Sequence, residues 1–122
     1  MNKESIQQTI NELHYWDAAV ISLECNYFAD EVTLVYDDEL GNVIYSFKGC
    51  YKTLFNHAIG YVKDKPTKEL TFAQYPYFLQ NVVVDEVEDE QKLFVCTLLL
   101  PPLEVEIWCK NINVSRQNNH LQ

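Results

Sequence analysis

The sequence predicts a mainly β (α+β) fold: a twisted antiparallel sheet or β-sandwich of about six or seven strands with a short N-terminal helix. Three observations predict it. Apolar and polar residues alternate with period two through much of the chain. Three glycines and four prolines are few, and aromatic residues, 13% of the total, sit largely on short strand-like segments. A length of 122 residues with 48% hydrophobic content suits a single globular domain with its own core, read as residues 1–116 followed by a disordered tail at 117–122.

The elements follow in order. In "MNKESIQQTINEL", Ser5 and Gln8 have capping-box spacing, and Ile6, Ile10 and Leu13 recur at i, i+4 and i+7 on one face of a short helix. After "HYW" the period becomes two. Ala19, Ile21, Leu23, Cys25 and Tyr27 are expected on one face of a first strand, with Ser22, Glu24 and Asn26 between them. Val32, Leu34 and Tyr36 mark a second strand, "DDELGN" turns the chain, and Val43, Tyr45, Phe47 and Tyr51 resume the pattern, giving an antiparallel meander. The middle is less patterned. "TLFNHAIGYV" is compatible with a fourth strand, "KDKPTKEL" with a polar loop, and "TFAQYPYF" with one helical turn or an irregular aromatic lid. Strands resume over 81–88, 93–100 and 103–114, with a turn at Pro101-Pro102. "LFVCTLLL" is apolar at nearly every position, which predicts a strand covered on both faces. Leu103, Val105, Ile107 and Cys109 share a face while Ile112 and Val114 fall out of phase, which predicts a bulge near Lys110.

Eighteen acids against nine bases give a net charge of −9, a field that repels nucleic acid and anionic membrane surfaces and favours basic proteins. No apolar run approaches the ~18 residues needed to span a bilayer, and "MNKESIQQTINE" lacks a secretory apolar core, so a cytoplasmic protein is expected. Cys25, Cys50, Cys96 and Cys109 form no C-x-x-C pair, and His14, His57 and His120 have no ligand spacing; buried free cysteines are expected, with no metal site and no cofactor. The motifs of nucleophilic and metal hydrolases and of phosphate-binding loops are missing, and "DEVEDEQK" lacks the glycine of a calcium loop, so no catalytic residue is assigned.

The informative feature is where the charge sits. Asp85, Glu86, Glu88, Asp89 and Glu90 fall on one predicted hairpin tip, and Asp37, Asp38 and Glu39 on another. Lys48, Lys52, Lys63, Lys65 and Lys68, five of the nine bases, lie mid-chain. Edge-protecting, solvated turns are one reading. The other is an acidic surface that docks a basic cleft, with Tyr75 and Tyr77 of "YPYF" as anchors. Successive meander turns alternate between sheet ends, so strand order decides whether the two tips share a face.

A short helix, then "LHYWDAAVISLE", "DEVTLVYDDELGNVIYSFKGCY" and a closing "LFVCTLLLPPLEVEIWCKNINV" resemble the small β-rich immunity proteins of bacterial polymorphic toxin systems, including contact-dependent growth inhibition. Leu13, His14, Asp17 and Ala18 match the opening motif, interrupted by Tyr15 and Trp16, and Ile107, Cys109 and Lys110 match part of the ending. The resemblance, over residues 13–116, implies no catalytic residues. It implies a monomer that binds one cognate toxin domain one to one in the producing cell's cytosol, often over the toxin's active site. Many such toxins are nucleases, whose substrate channel must be basic. Two competitors remain: an acidic secretion chaperone dimerising through helix and sheet, and a carbohydrate-binding domain or hydrolase using surface carboxylates.

Overall fold

The computed structural model describes residues 2–38, 40–57, 77–88 and 92–118. One helix, α1 (Lys3–Glu12), precedes six strands: β1 (Val20–Asn26), β2 (Glu31–Asp38), β3 (Gly41–His57), β4 (Asn81–Glu86), β5 (Phe94–Leu100) and β6 (Leu103–Asn118). They form one antiparallel sheet in the order β1-β2-β3-β6-β5-β4. The sheet alternative is therefore the right one, and among the described residues there is no second sheet to make a sandwich.

The fold is built around its two long strands. β3 has 17 residues and β6 has 16, paired from Gly41↔Asn118 to His57↔Leu103. β2 and β1 flank the first half of β3, from Asp38↔Gly41 to Glu31↔Lys48. β5 and β4 flank the first half of β6, from Leu100↔Leu103 to Phe94↔Cys109. Between the halves the inward phase changes: Ile112 and Cys109 are buried while Lys110 and Asn111 are both exposed. The expected irregularity near Lys110 is present, but the inserted residue is on the partner strand, where the register shifts between Cys50 and Lys52. Gly49 sits there at φ 66°, and a Cβ on it would lie 3.2 Å from the Lys110 Cβ. Glycine satisfies both demands.

The two half-sheets share one core. Val32, Leu34, Tyr36, Val43, Tyr45 and Phe47 of the first half join Cys96, Leu98, Val105, Ile107 and Cys109 of the second in a single buried cluster. The Tyr45 ring meets Tyr36 and Phe47 edge-on at 5.7 and 6.4 Å. Ile6 and Ile10 of α1 complete the cluster, each stabilising by about 1.5–3 kcal/mol on burial. That burial holds a 10-residue helix which would be marginal alone. The sheet is open, but the segments leading into its outer strands meet: Ala19 bridges Phe78, Leu79 N–H donates to the Ala18 carbonyl, and Asp17 and Val20 N–H donate to the Leu79 and Tyr77 carbonyls.

Several local expectations change. The helix is capped by Asn2, not Ser5: the Asn2 side chain accepts from Ser5 N–H at 2.8 Å, and Ser5 Oγ accepts from Asn2 N–H. Its far end is closed by the Tyr36 hydroxyl, which donates to the Leu13 carbonyl at 3.0 Å. A register shift between Val20 and Ser22 turns Ile21 outward, where it is exposed, and restores Leu23 to the inner side. Cys25 is exposed as well, on the outermost strand opposite the buried Val32. Cys96 and Cys109 are buried as expected, and burial pushes the Cys109 thiol up to about 12. "TLFNH" is the second half of β3, not a separate strand; 58–76, with the loop and all of the aromatic lid but Tyr77 and Phe78, lie outside the described residues. Among the described residues β5 is covered on one face, with Val95 and Leu99 half-buried and Thr97 exposed on the other. β6 runs to Asn118 because β3 supplies a paired edge up to Gly41, two residues beyond the expected domain end at 116.

Candidate partner-binding surface

The two acidic tips leave the sheet in the same direction, since β2 and β4 run parallel in the strand order. They do not lie at the same height. Gly41 pairs with Asn118 and Phe94 with Cys109, an offset of nine positions on β6, or about 30 Å along the strand. The register therefore gives the two turns no common rim.

At the β4–β5 tip, Asp85 and Glu86 are engaged by the helix. Lys3 Nζ lies 3.1 Å from Asp85 Oδ1, and Lys3 N–H donates to Glu86 Oε1 at 2.9 Å. The hydrogen bond from Lys3, aided by its charge, holds the Asp85 carboxyl below its ordinary range. The helix N-terminus favours a carboxylate there too. Beside them Gln7 replaces a missing strand: its Oε1 accepts from Val84 N–H at 2.7 Å, and its Nε2 donates to the Val82 carbonyl at 2.9 Å. Asp85 and Glu86 thus secure α1 against the sheet edge, and Glu88 is exposed.

At the β2–β3 tip, Arg116 Nη1 bonds both oxygens of Asp38, and Leu40 N–H donates to Asp38 Oδ1 at 2.8 Å. Burial works to raise the Asp38 carboxyl, but Arg116 and the turn amides outweigh it and hold it below the ordinary value. Asp37 is exposed. Tyr77 is half-buried against the core, with its hydroxyl 3.2 Å from His57 Nε2, so it does not stand free as an anchor. Glu39, Tyr75, Asp89 and Glu90 lie outside the described residues.

A third turn carries what the acidic tips lack. Between β1 and β2, Tyr27 and Phe28 are 70% and 107% exposed. Tyr27, Phe28 and Ala29 have successive φ values of 53°, 58° and 69°, left-handed backbone without a glycine. Asp30 N–H donates to the Tyr27 carbonyl at 3.0 Å, and the Asp30 carbonyl accepts from Cys50 N–H at 3.0 Å. A second uncovered area is the outer face of the other half-sheet, with Leu54 and Val83 exposed and Trp108 held by its Nε1–H bond to Glu106 at 2.7 Å. Period-two alternation places Tyr27 with Leu23 on the apolar face of the first strand and says nothing of Phe28, whereas both rings are exposed. The signals were present in "ECNYFADE", a strand connection with two aromatics and no glycine or proline. Residues 4–47 also hold nine carboxylates and no lysine or arginine.

Among the described residues no three His, Cys, Asp or Glu side chains converge on a position that could hold a metal ion. Nor is any helix there long and apolar enough to cross a membrane. Comparison with curated proteins finds no match. The family described as "Immunity protein PIM7" matches residues 2–116, nearly the whole chain, and the protein belongs to that family of toxin-system immunity proteins.

Proposed function

We propose that the chain neutralises a cognate toxin domain in the cytoplasm by tight one-to-one binding, with no catalysis of its own. The family match over residues 2–116 carries this reading, because it assigns an immunity role to nearly the whole chain. The charge supports the kind of partner. A net charge of −9, with nine carboxylates and no lysine or arginine over residues 4–47, favours a basic toxin such as a nuclease. Long-range steering would come from the whole acidic surface, including Asp37 and Glu88, with packing contacts supplying the affinity.

The test uses the C-terminal domain of the protein encoded immediately upstream. That domain is produced with and without this chain while growth is followed, and the pair is then run on a sizing column. Rescue with a one-to-one complex supports the reading. A toxic neighbour that is neither rescued nor bound overturns the pairing.

A further inference from the structure

We propose that the β1–β2 turn, with Tyr27 and Phe28 at its tip, is the anchor by which this protein docks its partner, inserting both rings into an apolar cleft with a basic rim. The inference rests on the toxin-binding reading above and names the surface that performs it.

Exposure comes first. Phe28 is 107% exposed and Tyr27 70%, though both lie beside a core able to take rings: Tyr36, Tyr45 and Phe47 are fully buried nearby in the same half-sheet. Large aromatic side chains give contact area at little entropic cost, and they dominate binding energy where they enter a pocket.

Backbone conformation comes second. Three consecutive residues with side chains occupy left-handed φ, a conformation that glycine adopts without penalty and bulky residues do not. The bonds Asp30 N–H to Tyr27 O and Cys50 N–H to Asp30 O clamp the turn from both sides. Held this way, the backbone that carries the rings is set before any partner arrives, and the main-chain part of the ordering cost is met on folding. Tight hairpin turns commonly need left-handed φ, but a turn serving only to connect two strands meets that need with Gly, Asn or Asp; here two exposed aromatic residues take those positions.

Charge selects the partner. Glu24, Asp30 and Glu31 flank the rings, and the nearest base on β2's neighbour is Lys48, opposite Glu31. An apolar centre with an acidic border fits an apolar cleft with a basic border, whereas a second copy of this chain would bring carboxylates against carboxylates. Cys25, exposed two residues before Tyr27, places a reporter at the base of the turn.

The experiment measures affinity for the upstream-encoded toxin domain, made non-toxic, by calorimetry, using wild type, Tyr27→Ala/Phe28→Ala and Phe28→Gly. It also follows alkylation of Cys25 in the free chain and in the complex. The double variant is expected to lose at least about 100-fold in affinity with its unfolding midpoint unchanged. Phe28→Gly is expected to raise the unfolding midpoint and still lose about 10-fold, a pairing of gain and loss that a merely connecting turn would not show. Cys25 should become protected in the complex. If wild type binds and both variants bind equally well, the turn is not the anchor, although toxin binding stands. If wild type does not bind, both readings fall. A free chain that dimerises through Tyr27 and Phe28 would also overturn the proposal.

Discussion

The two outer edges of the sheet are treated in opposite ways. Along β4 the edge is sealed: Gln7 supplies an acceptor and a donor where a seventh strand would pair, and Lys3 ties down Asp85 and Glu86. Along β1 the start is paired, with Val20 N–H donating to the Tyr77 carbonyl and Ala19 bridging Phe78, while the strand's far end leads into a turn that displays Tyr27 and Phe28. A sealed edge prevents unwanted strand pairing. An edge ending in aromatics on a pre-set backbone is equipped for a chosen contact. Local density of charge is thus a poor guide to availability, since the acid-rich side is the one its own helix occupies.

The comparison can be broken most directly by the double substitution Tyr27→Ala/Phe28→Ala, which should cost about 2.7 kcal/mol or more of binding free energy and little stability. Gln7→Ala sharpens it from the other side. Removing both edge hydrogen bonds should lower stability by about 1–3 kcal/mol in urea unfolding while toxin affinity stays unchanged. Loss of affinity instead would place the interface on the β4 side. Gly49→Ala tests the bend that joins the two halves. Left-handed φ and the close Lys110 Cβ should together cost about 1–2 kcal/mol, read as a lower urea midpoint at constant slope.

Smaller effects follow at the acidic tips. Arg116→Ala should cost about 0.5–1 kcal/mol at neutral pH, because its partner Asp38 lies in a surface turn where ion pairs are weak. Asp38 has a depressed folded-state pKa, so its contribution is present above the unfolded value near 4 and lost as pH falls through the folded value. The stability curves of wild type and Arg116→Ala should therefore converge in acid; parallel curves would dissociate the pair from stability. The smallest change is expected from Asp37→Asn/Glu88→Gln, less than about threefold in affinity, seen as slower association and a flatter salt dependence. A loss matching that of the aromatic pair would return the anchor to the tips.

Much of the strand framework was legible because its signal is local. Alternation of Val32, Leu34 and Tyr36 with Glu31, Thr33 and Asp37 needs no distant residue to be read. The Pro101-Pro102 turn and the phase change near Lys110 were readable for the same reason. The functional surface was less legible. Counting carboxylates located the acidic turns, but whether each is free depends on partners far along the chain. Lys3 reaches Asp85 across 82 residues, and Arg116 reaches Asp38 across 78.

By itself, then, the sequence determined the antiparallel strands, the short N-terminal helix, the acidic character and the resemblance to toxin-system immunity proteins, because periodicity, composition and motif are properties of neighbouring residues. Tertiary structure alone decided that one sheet bends into one core, that α1 occupies the carboxylates of β4, and that Tyr27 and Phe28 face solvent. Those outcomes depend on register, on a bulge displaced to the partner strand and on long-range pairing, where shifting a strand by one residue reverses which side chains reach the core.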